Sequence, residues 1–125
     1  MRKYKRSLAF VLVLGLMAGL IFSCGAEASE PLVGKVTLME LGSDWCLPCK
    51  MMGPILDELQ KKYPKDLKVV IVDVQKDKQA AIKYQVKVIP TQIFFDREGK
   101  EVKRHVGFMP EKEILNVLNE LKVSQ

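Results

Sequence analysis

The sequence predicts an α/β domain: one mixed four-stranded sheet, a parallel pair extended by an antiparallel hairpin, with helices on both faces. Three observations carry that expectation. Apolar, β-branched runs alternate with runs of helical spacing, in the order strand, helix, strand, helix, strand, strand, helix. The most β-branched run, Leu67 to Val74, reads as a buried central strand. Asp96-Arg97-Glu98-Gly99 lies between two strand-like runs as the turn of a hairpin.

Taken in order, Val36 to Leu41 is apolar and partly β-branched, a first strand. From Cys46 to Tyr63, Met51, Met52, Ile55, Leu56 and Leu59 recur at helical spacing. Pro48 falls in the first turn of that helix, where a missing N–H is harmless. Pro54 falls inside and should kink it, and Pro64 ends it. Lys76 to Tyr84 reads as a short helix, and Gln92 to Phe95 with Glu101 to Val106 as the hairpin. Pro110 to Leu121 is a final helix, with Pro110 suited to N1 and a stripe of Ile114, Leu115, Val117, Leu118 and Leu121. The first two strands should run parallel through a right-handed crossover.

The 125 residues suffice for one domain with a core. Residues 1–28 read as a separate leader. Arg2, Lys3, Lys5 and Arg6 precede the apolar run Leu8 to Phe22, and Ala26-Glu27-Ala28 is a cleavage-type ending. Three readings stay open. The leader is cleaved after Ala28, or Cys24 of Ile21-Phe22-Ser23-Cys24 is lipidated, or the uncharged stretch Ser7 to Ala26 is retained as a membrane anchor. Each places the domain, 36–125 after a linker at 29–35, in the periplasm or outside the cell. The net charge of +5 owes much to this leader; the remainder carries 16 Lys/Arg against 14 Asp/Glu, interspersed. No basic stripe points to nucleic acid. With a single histidine, His105, and three cysteines, a zinc site within one chain lacks ligands, and no cofactor is implied.

The most specific feature is Trp45-Cys46-Leu47-Pro48-Cys49, at the predicted turn from strand to helix. A Cys-x-x-Cys in a βαβ setting reads as a redox motif. A disulfide framework would use more cysteines and longer loops. A helix N-terminus favours a thiolate there.

The element order together with Trp45-Cys46-Leu47-Pro48-Cys49-Lys50 resembles the thioredoxin family over about residues 32–122. Pro54 matches the family's helix proline, Glu40 its buried carboxylate, Ile89-Pro90-Thr91 its cis-proline loop, and Gly107 the glycine closing the last strand. There are departures. The extra first strand and helix of thioredoxins proper have almost no room between Ala28 and Val36, so the expected fold is a thioredoxin core trimmed at the N-terminus. Gly42 replaces an aromatic residue, and the lysine that accompanies the carboxylate has no counterpart in Val70-Ile71-Val72.

The resemblance implies a thiol–disulfide oxidoreductase acting on protein disulfides. Cys46 would attack and Cys49 resolve through a Cys46/Cys49 disulfide. Glu40 would accept the Cys49 proton, or else be a solvent-facing strand glutamate; alternation turns it inward only if Leu38 is inward too. Ile89, cis-Pro90 and Thr91 would bind substrate backbone. Trp45 would shape the contact surface or sit in the core. The expected function is a monomeric reductase outside the cytoplasm, recharged by a membrane electron-transfer partner. An oxidase or isomerase of secreted proteins and a redox-inert adaptor are the alternatives.

Overall fold

A computed structural model describes residues 30–125; the leader readings, including Cys24, lie outside the described residues. The elements are β1 (Val36–Gly42), α1 (Leu47–Lys62), β2 (Leu67–Asp73), α2 (Lys78–Lys83), β3 (Thr91–Phe95), β4 (Glu101–Val106) and α3 (Glu111–Glu120). They form one sheet of order β2-β1-β3-β4. β1 and β2 run parallel from Val36↔Leu67 to Gly42↔Asp73. β1 and β3 are antiparallel, as are β3 and β4. The mixed sheet expected from the sequence is present.

The place of β2 corrects one expectation. It is an edge strand, and β1 and β3 are central. The alternating exposure of β2 fits an edge: Lys68 and Ile71 are exposed while Leu67, Val70 and Val72 are buried. Its β-branched run reflects helices over the sheet, not strands on both sides.

Two apolar layers follow from strand alternation. Val36 and Leu38 of β1 and Phe94 of β3 pack with Met52, Leu56 and Leu59 of α1 and Ile114, Val117 and Leu118 of α3. Met39 and Leu41 of β1 and Ile93 and Phe95 of β3 pack on the opposite face with Val70, Val72, and Ala80 and Tyr84 beside α2. Tyr84 meets Phe95 edge-on, ring centroids 6.0 Å apart.

The ends of the elements are chemically explicit. Asp77 caps α2, its side chain accepting from Ala80 N–H at 2.9 Å, so that helix starts two residues later than the sequence suggested. Pro110 stands at the N-cap of α3, not at N1, because its ψ of 145° is extended; its carbonyl accepts from Glu113 and Ile114 N–H. In the hairpin turn Asp96 Oδ1 accepts from Glu98 and Lys100 N–H, and Gly99 takes φ +79°. α1 runs through Pro54 as one element.

Candidate active site

The turn from β1 into α1 carries the cysteines. Ser43 holds it: its carbonyl accepts from Cys46 N–H (3.2 Å) and its hydroxyl from Trp45 N–H (3.3 Å). Asp44 pairs with Lys76 at 2.5 Å on the exposed side of the turn. Cys46 is the N-cap of α1, and its Sγ accepts from Cys49 N–H at 3.3 Å. A helix N-terminus supplies unpaired N–H groups and a positive dipole end, so this sulfur sits where negative charge is favoured. Cys46 and Cys49 form a disulfide, Cα atoms 5.2 Å apart. Cys46 is half-buried, whereas Cys49, one turn further, is 7% exposed. The more accessible of the two cysteines, Cys46, is the one placed to meet an incoming thiol or disulfide.

The second wall comes from the loop before β3. The Ile89–Pro90 peptide bond is cis. Leu41↔Thr91 pairs the C-terminal end of β1 with the N-terminal end of β3, so Pro90 and the cysteine turn leave the sheet at one end. Thr91 is buried, and its hydroxyl donates to Val88 O at 2.6 Å, while Pro90 O accepts from Gly107 N–H at 2.8 Å. Ile89 is half-buried. Trp45 is 90% exposed, which rules out a core role. Exposed Leu47, Val88 and Phe108 add apolar surface on the same turn, on the loop before β3 and after β4.

Glu40 lies inward: it is 2% exposed, on the strand face of Leu38, which is fully buried. Burial without a cation beside it lifts its carboxyl from 4.5 to about 7. Its Oε1 has no hydrogen-bond partner among the described residues. Gly42, two residues on, explains the close packing here. A Cβ at Gly42 would lie 2.9 Å from Cys49 Sγ, 3.0 Å from Cys49 Cβ and 3.1 Å from Glu40 Oε1. Only a residue without a side chain lets the end of β1 bring the carboxyl and the inner sulfur to a common point. A cavity of about 190 Å³ adjoins it, its lining running from buried Glu40 and Cys49 to exposed Asp44, Lys50 and Ile71.

Two residues gained meaning only here. Gly42 read as a departure from an aromatic position, not as a requirement for contact. Gln92 read as the start of a strand; it is fully buried opposite Glu40. A polar residue two positions before Phe94, in an otherwise apolar strand, was the available signal.

The Thioredoxin family model matches residues 29–120. The chain belongs to the thioredoxin family. A thioredoxin of Bacillus subtilis is 37% identical over 97 residues, covering 78% of this chain and 88% of that protein. One of Staphylococcus aureus is 38% identical over 94 residues, covering 75% and 89%. Among solved structures, Fasciola hepatica thioredoxin superposes with a TM-score of 0.64 at 31% identity, covering 70% of this chain and 82% of that one. The germline thioredoxin Deadhead of Drosophila melanogaster gives 0.64 at 27%, with the same coverage. The thioredoxin-family membership and the Cys46–Cys49 disulfide make this chain a thiol–disulfide oxidoreductase, of a family that acts on protein disulfides.

Proposed function

We propose that the chain reduces protein disulfides outside the cytoplasm, with Cys46 as nucleophile, Cys49 as resolving thiol and Glu40 as proton acceptor. The observation that carries the roles is the unequal burial of the two cysteines at the start of α1. The Cys46 thiolate, favoured by the helix N-terminus, attacks one sulfur of a substrate disulfide. The S–S bond of the substrate breaks, one substrate thiolate leaves, and a mixed disulfide forms on Cys46. Cys49 then loses its proton to the Glu40 carboxylate and attacks Cys46 Sγ. The mixed disulfide breaks and the second substrate thiolate leaves. The substrate has gained two electrons and, from water and Glu40, two protons; the Cys46–Cys49 pair has lost the electrons. A carboxyl near pH 7 is matched to this transfer.

Ile89, half-buried ahead of Pro90 and Thr91, which are buried and hold it in place, offers the backbone along which extended substrate docks. Trp45 supplies exposed aromatic surface beside Cys46. The reducing direction rests on Pro48 before the second cysteine, as in reducing relatives. The location rests on the basic, apolar and small-residue order of residues 1–28, which also supports a membrane tether. An enzyme so placed takes its electrons from a membrane partner.

The test is a trap. Cys49→Ser should hold mixed disulfides on Cys46 with extracytoplasmic proteins, identified by mass spectrometry from intact cells. Cytoplasmic partners only would overturn the location. A reduction potential near the ~−120 mV of strong oxidants would overturn the direction.

A further inference from the structure

Glu40 and Gln92 are direct cross-strand partners on the central strands β1 and β3. Such partners point to the same face with Cβ atoms ~4.5–5.5 Å apart. Both are almost fully enclosed, at 2% and 0% exposure. Three buried side-chain polar atoms have no hydrogen-bond partner among the described residues: Glu40 Oε1, Gln92 Nε2 and Gln92 Oε1. They belong to these two neighbours alone, and they are a complementary set: a carboxyl oxygen, an amide donor and an amide acceptor. Buried polar groups of this kind are costly when unpaired and are seldom left so without a role.

We infer that Gln92 is the positioning partner of Glu40, its amide serving the carboxyl in both protonation states of the resolving step. The Gln92 amide bonds neither Glu40 oxygen in this disulfide form; an ionised carboxylate needs a donor, and Gln92 Nε2 supplies it when the amide turns toward Glu40. A protonated carboxyl needs an acceptor, and Gln92 Oε1 supplies that after rotation of the amide. A lysine could do only the first. This inference rests on the reading that Glu40 takes the Cys49 proton.

The surroundings leave this role to Gln92. On β2, the partner of Glu40 is Ile71. α3 brings Ile114, Val117 and Leu118 to this face. α1 brings Cys49, and the cavity rim carries Lys50, Asp44 and Asp73. Asp44 and Asp73 are both paired with Lys76, and Lys50 is exposed. His105 follows Gln92 in the same row, on β4, with Nε2 3.2 Å from Phe108 O.

The experiment loads Cys46 of the full chain with a thionitrobenzoate mixed disulfide and follows its release by Cys49 across pH. Gln92→Leu and Gln92→Met remove the amide; Met, unbranched and of the same length, is the second variant should Leu not fold. Both bonds are lost, but the one donated to the charged carboxylate is the stronger, so the net effect raises the pKa. The midpoint of the profile should therefore rise by about one pH unit, roughly a tenfold loss of rate on its acid side. In a Glu40→Gln background the same substitutions should move nothing. A changed melting temperature with an unmoved midpoint would mark Gln92 as merely structural and overturn the inference, while Glu40→Gln still moving the profile would leave the proton-acceptor reading standing. A profile that even Glu40→Gln does not move overturns both.

Discussion

The two faces of one sheet are built from the same strands and do different things. Toward α2, β1 presents Met39 and Leu41 and β3 presents Ile93 and Phe95, all apolar and buried. Toward α1 and α3, the same strands start apolar, with Leu38 and Phe94, and end polar, with Glu40 and Gln92. The change comes at the end of the sheet where the cysteines lie. Burying unpaired polar atoms there lowers stability; the apolar face and the far half of the other face offset it. The departure from apolar packing is local, confined to one face and one end, where the proposed function lies.

Four substitutions would break or sharpen that contrast. The largest effect is on chemistry: Cys46→Ser should abolish disulfide reduction in an insulin-turbidity assay while leaving the fold intact by circular dichroism. Residual turnover would show that Cys46 is not the attacking residue. The counterpart on the apolar face, Ile93→Ala, should cost about 2–5 kcal/mol in denaturant unfolding, with Cys46 reactivity unchanged. A loss of reactivity without a loss of stability would erase the division between faces.

Glu40→Gln should act on both properties and in opposite senses. The resolving step should slow by ~10²-fold. Stability should rise, and with a definite pH dependence. The folded pKa of Glu40, about 7, lies above its ordinary 4.5, so the native state holds the extra proton between those values. Its contribution is fully present below pH 4.5 and is lost as pH rises through about 7. The gain of Glu40→Gln over the native chain should therefore be near zero in acid and reach about 3 kcal/mol above pH 7. Chemical unfolding at several pH values checks this; a flat difference would mean that the carboxyl is not buried in solution. The smallest effect is expected at the rim of the apolar face. Asp77→Ala removes the cap of α2 and should cost about 1 kcal/mol, leaving turnover within twofold.

Much of this was legible in advance. The Cys46–Cys49 pair, its place at a strand-to-helix turn and the hairpin around Asp96 to Gly99 are local patterns, read from spacing and turn chemistry. Other features were not. The edge position of β2 escaped because a β-branched run looks alike at an edge and at a centre when helices cover the sheet. Trp45 could equally have been core or surface, since a large aromatic residue suits both. Pro110 was misplaced by one position because the boundary depends on its ψ, which proline leaves free.

The sequence by itself determined the order of elements, the redox pair and the family. Periodicity, β-branching and cysteine spacing are properties of neighbours along the chain, and neighbours suffice to set them. The tertiary structure decided what lies next to what across strands: that Leu38 turns inward and takes Glu40 with it, that Ile89–Pro90 is cis, that Gly42 admits Cys49, and that Gln92 faces Glu40. Each depends on register and layer, where a shift of one residue would exchange the two faces. The cysteine pair was written in five consecutive residues; the proton partner proposed for it draws on two strands about fifty residues apart.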